Sequence, residues 1–413
     1  MRARLRAVAL ILLMAPIPVV AAANLTFSDV VARVRRRAPE VLAAETALQS
    51  ERAARVGATP LFGENPSVEG GAGWMAENQG TAWRDTRHGP TAWLQVSVPV
   101  EIAAQRWRRV AAADARILAS AEARDETVRE ALLVAGMAFY RAVHAQQVVE
   151  LQKRVEQLAE RTRELAMARF RAGELAELEA RLTEMESASA SRDRYAAEAA
   201  YQHALAELAT LLGVSLDEMD GVEGTLRRRE PLPMLQQATD RAVARADVRV
   251  ATAERKVALA EANEAAGRAF PTPRLKGYYQ YWHQEHAVMA VVEVPLPLFE
   301  HGQGDEARAR ARARGMLVEE DQRREAARAE VRTAHALVTR LAGLRQQLEE
   351  RGQQPLEVLL SDVETAYRSR QTDLNTLLNV LGHLLQAERE LLDLQLQETL
   401  ARLWLDAAMG ALP

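Results

Sequence analysis

The 413-residue chain contains no cysteine, and only 5% of its residues are aromatic. The absence of cysteine excludes disulfide scaffolds, thiol catalysis and a lipid anchor attached to cysteine. After residue 24, no stretch approaches the roughly 20 uncharged apolar residues that a membrane-spanning helix needs. Disorder is excluded as well, because 48% of the residues are hydrophobic and they recur with regular spacing.

The first 23 residues have the pattern of a secretory signal peptide. Arg2, Arg4 and Arg6 form a basic start, and an apolar run follows from residue 7 to residue 15. We predict cleavage after Ala23. The alternative, an anchoring helix, fits less well because the apolar run is short and is followed by prolines. Removal of the three arginines takes the formal net charge from -4 to -7. An exported, mildly acidic chain argues against nucleic-acid binding.

Proline is absent between residues 100 and 230, where Ala, Glu, Arg, Leu and Gln dominate. Proline breaks helix interiors, so we predict long helices here, one of them from about Ala104 to Phe170. At 1.5 Å per residue that helix is on the order of 100 Å long. Pro355 is expected to kink or interrupt a second rod. The leucines and valines with the spacing of coiled-coil seams are Val148, Leu151, Val155, Leu158 and Leu165, interrupted at Thr162, and then Leu337, Leu341, Leu344 and Leu348.

Two pairs of segments have strand periodicity instead. Between residues 92 and 100, Leu94, Val96 and Val98 alternate with Gln95 and Ser97. The predicted hairpin partner covers residues 66–75, and a second hairpin is predicted from 273–282 and 287–299. Each segment is long enough for the roughly 9 to 11 residues of a tilted transmembrane strand. The aromatic residues expected to form an interfacial girdle are Trp74, Trp93, Tyr281 and Trp282.

The two hairpins belong to an internal duplication. Val98-Pro99 matches Val294-Pro295 at an offset of 196, and Pro66 matches Pro273 at an offset of 207. Phe170-Arg171 matches Tyr367-Arg368 at 197, and Pro39-Glu40-Val41 parallels Ala246-Asp247-Val248. Each half is therefore predicted to contain two short helices, a β-hairpin and two long helices joined by a turn.

Four strands are too few to close a barrel, and an open sheet edge in lipid leaves backbone groups unpaired at several kcal/mol each. If the hairpins lie in a membrane, several copies of the chain must share one barrel. Alternation then predicts the residues that face the lumen, Glu69, Gln95, Ser97, Lys276, Gln280 and Glu293. The residues predicted to face lipid are Val68, Leu94, Val96, Val98, Leu275 and Val292. The mixed charge of the first set favours a broad, poorly selective pore.

This order of elements resembles the TolC-like outer-membrane efflux proteins. The resemblance rests on Val-Pro-Leu-Pro-Leu-Phe-Glu-His-Gly-Gln-Gly at 294–304 and Ala-Arg-Phe-Arg-Ala-Gly-Glu-Leu at 168–175, and it covers nearly all of the mature chain. The strand-to-helix segment is most similar to the heavy-metal branch. The resemblance implies a homotrimer whose twelve-stranded barrel lies in outer-membrane lipid and continues into a helical tunnel. It also implies two partners, a periplasmic adaptor (membrane fusion) protein and an inner-membrane RND-type pump.

The predicted fold class is mainly α with a small β part, in which duplicated coiled-coil hairpins form a periplasmic α-barrel and each chain adds four strands to the transmembrane β-barrel. The predicted organisation is a signal peptide at 1–23, N-terminal periplasmic helices at 24–62, a β-hairpin at 63–100, a long helical hairpin at 101–225, a linker with second-repeat helices at 226–271, a β-hairpin at 272–299 and a long helical hairpin at 300–409.

In the family, the helix-turn-helix tips meet the adaptor. The resemblance therefore makes Arg171, Gly173 and Leu175 of the first tip, with Arg368 and Arg370 of the second, candidates for adaptor contact. An ordinary tight helix turn accounts for Gly173 equally well. In the second tip Arg370 stands where the glycine is expected, which leaves the geometry of that turn open.

The same tips close the tunnel in the family. Thr376 and Asn379 occupy positions at which some relatives carry acidic constriction residues, so no carboxylate ring is expected there. Glu174 and Glu177 are candidates for a negatively charged periplasmic gate, with solvated helix glutamates as the alternative.

Signals for catalysis or metal binding are weak. His283 and His286 resemble a ligand pair, but their place between two predicted strands favours a solvated turn. Gly302-Gln303-Gly304 opens a helix after a strand, yet it lacks the third glycine of a dinucleotide site. No elbow motif of a hydrolase is present. We predict no catalytic residue, no cofactor and no metal site.

The sequence thus predicts an outer-membrane exit duct that extends into the periplasm and passively conducts the cargo of a tripartite efflux system. Heavy-metal cations are the expected cargo on the branch resemblance alone, and drugs, solvents or polypeptides secreted by a type I system stay open. Two rival classes are a soluble periplasmic coiled-coil adaptor or tether and an exported hydrolase. The first leaves the duplicated hairpins unexplained, and the second lacks a clustered site.

Overall fold

A computed structural model describes residues 23–78, 86–226, 231–282, 285–299 and 301–350, parts of the stretch from 358 to 370, and residues 371–413. The predicted signal peptide up to residue 22 lies outside the described residues, as do His283, Pro355, Arg368 and Arg370. The described chain is mainly helical with a small β part, which confirms that level of the predicted fold class.

The two halves of the chain repeat one order of elements. The first half contains β1 (Ala23–Leu25), α1 (Phe27–Arg37), α2 (Pro39–Ala58), β2 (Ser67–Asn78), β3 (Thr86–Pro99), α3 (Gln105–Arg171), α4 (Glu177–Leu212) and β4 (Met219–Val222). The second half contains α5 (Leu235–Ala242), α6 (Ala246–Gly267), β5 (Arg274–Trp282), β6 (Glu285–Glu293), α7 (Gln303–Leu348) and α8 (Leu374–Ala408). Within the described residues, no helix combines the length and the apolar character needed to span a bilayer.

The four longer strands form one antiparallel sheet in the order β2-β3-β5-β6, so the hairpins of the two halves lie side by side. The short strands β1 and β4 form a separate parallel pair. The second hairpin ends at Glu293, and the predicted continuation of its strand to residue 299 is wrong. Pro295 and Pro297 have no N–H group for a strand ladder, which ends the pairing there.

The strand-to-helix turns of the two repeats have matching geometry. Ala104, just before α3, and Gly302, just before α7, both adopt the left-handed conformation, with φ of 57° and 76°. In each turn the first helical residue is a glutamine whose Oε1 accepts a hydrogen bond from the backbone N–H two residues earlier. These bonds are 3.0 Å long at Gln105 and 2.9 Å long at Gln303. The duplication therefore extends to the detail of this turn.

Helix α3 packs against α4, and the buried positions near their common tip carry small side chains. On α3 these are Ala159, Thr162 and Ala166, and on α4 they are Ala180, Thr183, Ser187 and Ala190. Spacings of three and four residues are those of a coiled-coil seam. Of the predicted line, Leu151 is buried. Near the tip the seam is displaced from that line, since Thr162, the predicted interruption, is buried and Leu165 is exposed.

A similar displacement occurs on α7, which packs against α6 and α8. The buried residues are Val331, Ala334, Val338 and Leu341. Of the predicted seam, Leu341 is buried, whereas Leu337 and Leu344 are 40% and 46% exposed. The seam of α7 therefore shares Leu341 with the predicted line and departs from it at Leu337 and Leu344.

Charged side chains inside the helical region are paired. Glu320 on α7 is 1% exposed, and it accepts hydrogen bonds from Arg255 at 2.8 Å and Thr252 at 2.9 Å and pairs with Arg324. The hydrogen bond from Arg255 holds the pKa of Glu320 below its usual range. A buried carboxylate requires such partners, so this cluster fixes α6 against α7.

Candidate functional site

The four-stranded sheet has one apolar face. Val98 pairs with Leu275 and Leu275 pairs with Val292, and side chains of directly paired residues lie on the same face. The residues on this face include all six predicted to meet lipid, Val68, Leu94, Val96, Val98, Leu275 and Val292, together with Trp74, Tyr279 and Val288. Val68, Val288 and Val292 are 66%, 80% and 66% exposed. An apolar surface of this size on one chain requires a partner or a membrane to cover it.

The opposite face of the sheet carries the polar side chains. Glu69 pairs with Gln95, and Ser97 pairs with Lys276. All the predicted lumen residues share this face, namely Glu69, Gln95, Ser97, Lys276, Gln280 and Glu293. Lys276 forms an ion pair with Glu293 across the second hairpin. The structure thus brings the predicted lumen residues together on one surface.

The predicted aromatic girdle is wrong for two of its four members. Trp74 and Tyr281 lie on the apolar face, whereas Trp93 and Trp282 lie on the polar face. Trp93 is stacked on Tyr278 with 6.2 Å between ring centroids. Its indole also covers Gly71 on β2, where a Cβ atom would come within 2.7 Å of the indole nitrogen. A side chain at this position would force the tryptophan ring to shift, which favours glycine.

The sheet is open on both sides. In the part of the chain that the structure describes, β2 and β6 each pair with a strand on one side, which leaves a row of backbone N–H and C=O groups along the other. The two open edges come from different repeats.

At the first helix tip, Gly173 makes the reversal between α3 and α4. Its φ is 72°, its N–H donates to the carbonyl of Phe170 at 2.9 Å, and Glu174 N donates to the carbonyl of Arg169 at 2.9 Å. This closes the end of α3 in the way glycine favours. Of the predicted adaptor contacts, Arg171 and Gly173 are exposed and Leu175 is half-buried.

The second tip is ordered by a cap on α8. Asp373 accepts a hydrogen bond from the backbone N–H of Thr376 at 2.7 Å, and hydrogen bonds from Thr376 hold the pKa of Asp373 below its usual range. Tyr367, Leu374 and Leu377 form a small buried cluster beside the cap. The remaining predicted adaptor contacts, Arg368 and Arg370, lie outside the described residues.

One arginine joins the two tips. The guanidinium of Arg169 on α3 lies 4.5 Å from the ring centroid of Tyr367, and its Nη2 donates to the carbonyl of Tyr367 at 3.2 Å. The match between Phe170 and Tyr367 in the two repeats identifies both residues as parts of the tips. It does not predict the contact of Arg169 with Tyr367, because a contact between the repeats leaves no local sequence pattern.

The predicted gate residues are divided between the tips. Thr376 and Asn379 are exposed on the first turns of α8. Glu174 and Glu177 are exposed at the first tip, and Glu177 accepts hydrogen bonds from Arg181 at 2.7 and 2.9 Å. The carboxylate of Glu177 is therefore engaged within its own helix.

Of the predicted histidine pair, His286 lies among the described residues and His283 lies outside them. His286 is the second residue of β6, and its Nδ1 lies 2.8 Å from the hydroxyl of Tyr279. Among the residues that the structure describes, no group of three or more His, Asp or Glu side chains is placed to hold a metal ion.

Exposed apolar stripes run along the outer sides of the long helices. On α4, Leu178, Leu182 and Met185 are 70%, 40% and 71% exposed at spacings of four and three residues. On α7, Leu337 and Leu344 lie two turns apart and are also exposed. Stripes with this spacing form the contact line of a coiled coil, so these helices each have a second packing surface besides the one buried within the chain.

Solved structures with this fold include outer-membrane channels. The chain aligns over 93% of its length with 92% of CusC, whose structures concern transmembrane channel formation, at a TM-score of 0.76 and 16% identity. It aligns over 93% with 96% of the outer-membrane protein VceC of Vibrio cholerae at a TM-score of 0.72 and 17% identity. It also aligns over 93% of its length with 89% of the outer-membrane channel MtrE of Neisseria gonorrhoeae, solved in its open state, at a TM-score of 0.71 and 19% identity. No protein-family model and no curated protein matches the sequence. The chain therefore shares the fold of these channels along nearly their whole length.

Proposed function

We propose that the protein is a TolC-like outer-membrane exit duct that extends into the periplasm. This proposal rests on the two faces and the open edges of the sheet. One face is apolar and exposed, the other carries the polar residues, and the described strands leave both edges unpaired. The fold shared with outer-membrane channels supports the same conclusion. In this proposal the protein conducts its cargo passively and catalyses no reaction.

Copies of the chain close the barrel by pairing β6 of one with β2 of the next. Pairing removes the unsatisfied edges, which cost several kcal/mol for each group left in lipid. The apolar face then meets outer-membrane lipid, and Glu69, Gln95, Lys276, Gln280 and Glu293 face the lumen. Three copies with four strands each is the stoichiometry that the family resemblance supports.

The long helices continue the barrel as a tunnel. Their buried seams hold each chain together, and the exposed stripes on α4 and α7 pack against the helices of neighbouring copies. A helix of 67 residues, such as α3, extends roughly 100 Å, which is far beyond what a compact domain of this size needs.

The tips form the periplasmic gate and the docking surface. Arg171, Gly173 and Leu175, with Arg368 and Arg370, are the proposed contacts to the periplasmic adaptor. Glu174 and Glu177 of one tip and Thr376 and Asn379 of the other are the proposed gate residues. Docking opens the gate if the adaptor and the RND-type pump bind the open state more tightly than the closed one.

We propose heavy-metal cations as the cargo, because the strand-to-helix segment at 294–304 resembles that of the heavy-metal branch of the family. The polar face of the sheet carries both Lys276 and Glu293, which favours a lumen of low selectivity and leaves selection to the pump. Deletion of the gene followed by a susceptibility panel of metals and organic toxicants tests this proposal. Sensitivity confined to organic compounds contradicts it and favours drug or solvent efflux.

The duct itself is tested on the purified, signal-cleaved protein. We expect it to be found in the outer-membrane fraction, to need detergent, and to migrate on gels as a trimer that heating dissociates. A soluble periplasmic tether shows none of these properties. A water-soluble monomer that needs no detergent overturns the proposal.

The docking surface has its own test. Arg171→Glu combined with Arg370→Glu is expected to abolish cross-linking to the adaptor while the heat-dissociable trimer still forms. Unchanged cross-linking contradicts the assignment of these arginines.

A further inference from the structure

A cavity of about 810 Å³ is lined by residues from α1 and α2, from α3, from the end of α5 and the start of α6, and from the segment after α8. It is separate from the tips and from the sheet, and the conduction path proposed above does not use it. Its volume is within the range of roughly 300 to 1,000 Å³ that is typical of sites for small molecules.

The floor of the cavity is apolar. Val41, Leu132 and Met409 contribute buried side chains. Leu42, which is 52% exposed, and Leu412 continue this surface toward the opening. Burial of an apolar group of a ligand on this floor removes that group from water, which favours binding.

Six arginines line the same cavity, and three of them are neutralised by nearby carboxylates. Arg129 pairs with Glu126 at 2.5 Å. Arg245 pairs with Asp247 at 2.7 Å and with Glu330 at 2.5 Å. Arg249 pairs with Glu122 at 2.6 Å and lies 3.5 Å from Asp125. These pairs build the wall and leave little charge for a ligand.

The other three arginines have unused hydrogen-bonding capacity. Arg35 and Arg241 form no ion pair within the described chain and are exposed at the cavity. Arg124 pairs with the adjacent Asp125 at 3.0 Å, but its Nε atom is buried and has no hydrogen-bond partner among the described residues.

Two acids line the cavity as well. Asp125 is shared between Arg124 and Arg249, and Glu45 accepts a hydrogen bond from Gln49 at 3.0 Å. Neither acid pairs with Arg35 or Arg241 in the described chain, so the N–H donors of these two guanidinium groups remain free next to an apolar floor. A guanidinium matches the planar oxygens of a carboxylate or the oxygens of a phosphate.

We propose that this cavity binds an anionic amphiphile, with its carboxylate or phosphate monoester held by Arg35, Arg124 and Arg241 and its alkyl chain on the floor formed by Val41, Leu132 and Met409. A fatty acid and a lipid-derived phosphate share this chemistry. The site requires neither the trimer nor the efflux partners, so its failure leaves the duct proposal intact.

The absence of cysteine allows a clean test. Ala411→Cys places one thiol at the exposed rim of the cavity in an otherwise thiol-free chain, held in nanodiscs of zwitterionic lipid. We expect octanoate and hexyl phosphate to slow its reaction with a maleimide in a saturable manner. Hexanol and inorganic phosphate at the same concentrations are expected to leave the rate unchanged.

The arginines are tested by Arg35→Ser with Arg241→Ser in the same reporter chain. Because a hydrogen bond to a charged group contributes about tenfold or more in affinity, the double variant should bind hexyl phosphate at least tenfold more weakly. The matched control is Arg36→Ser with Arg323→Ser, which removes the same charge from exposed positions outside the cavity and should bind normally.

Several results overturn the proposal. One is equal weakening by both double variants, and another is protection by hexanol or inorganic phosphate alone. The third such result is an Ala411→Cys thiol that reacts in dissociated chains but not in the assembled protein, because the opening of the cavity would then be buried against a second copy. A preference for hexyl phosphate over octanoate, or the reverse, supports the site and identifies the phosphate or the fatty-acid source.

Discussion

At the scale of single residues, the two strand-to-helix turns place different residues in the same conformation. Ala104 and Gly302 both have positive φ, and a left-handed conformation costs a residue with a Cβ atom roughly 1–2 kcal/mol. Glycine avoids this cost but loses more backbone entropy on folding, by roughly 0.5–1 kcal/mol. The balance favours glycine slightly in both turns.

We therefore predict that Ala104→Gly stabilises the protein by about 0.5 kcal/mol and that Gly302→Ala destabilises it by a similar amount. A Cβ atom on Gly302 would lie 3.8 Å from its nearest neighbour, so the effect comes from backbone conformation and not from a clash. Denaturant titration followed by circular dichroism measures both changes. Equal destabilisation by the two variants would contradict the argument.

A second residue-scale prediction concerns His144 on α3. Burial lowers the pKa of its imidazole, and the neighbouring Arg389 acts in the same direction, against the opposing influence of Asp393 at 2.9 Å. Because the folded pKa is below the unfolded value of about 6.5, stability is lost as the pH falls below that value. His144→Gln should flatten the pH dependence of the melting temperature between about pH 6.5 and pH 5. The exposed His203→Gln is the control, and an identical pH profile for wild type and His144→Gln would sink this prediction.

At the scale of elements, the sequence predicts helix bounds better than helix faces. The predicted helix from about Ala104 to Phe170 is observed as Gln105–Arg171, because the helix-forming composition begins after Pro99 and the chain reverses at Gly173. Its seam is misplaced, since closely packed helices bury small residues such as Thr162 and leave Leu165 exposed. Spacing alone does not distinguish a seam within the chain from one that faces a neighbour.

The small seam between α3 and α4 gives the next prediction. Thr183 is 1% exposed, so Thr183→Leu adds volume to a packed line and should destabilise the protein by about 1–3 kcal/mol. Glu184→Leu, at the exposed neighbouring position, is the control and should change stability by less than about 0.5 kcal/mol. Thermal unfolding of the two variants compares them. If both melt alike, the seam is not tightly packed.

The contact between Arg169 and Tyr367 leads to a functional prediction. Arg169→Ser removes the guanidinium from the tyrosine ring and from its carbonyl, so the two tips are held together less strongly. We expect a higher single-channel conductance, or more frequent opening, in planar bilayers. Arg161→Ser, two turns back on α3, is the control. Conductance equal to wild type would show that this contact does not hold the gate.

At the scale of the whole molecule, alternation predicts the two faces of the sheet but not the order of its strands. The predicted lumen and lipid residues fall on opposite faces because side-chain direction follows sequence parity. The pairing of β3 with β5, which joins the two repeats, is a contact over long range that no local pattern encodes. The cavity lined by arginines was missed for the same reason, since its walls come from four separate segments.

The faces of the sheet give a prediction about assembly. Val288→Arg places a charge on the apolar face, where it costs about 2–4 kcal/mol at the middle of a bilayer. Ala287→Arg, the adjacent residue of β6, places the same charge on the polar face. We expect loss of the heat-dissociable trimer from the outer-membrane fraction for Val288→Arg alone. Equal trimer yields would mean that the apolar face does not meet lipid.

Helix α3 also acts as a lever. It is uninterrupted from Gln105 to Arg171 and is fixed to the sheet through the turn at Ala104. With a length of roughly 100 Å, a tilt of about ten degrees at its base moves its far end by about 17 Å. If the sheet lies in a bilayer as proposed, a small adjustment of the sheet to the thickness of that bilayer moves the opposite end of α3 by about one and a half helix diameters.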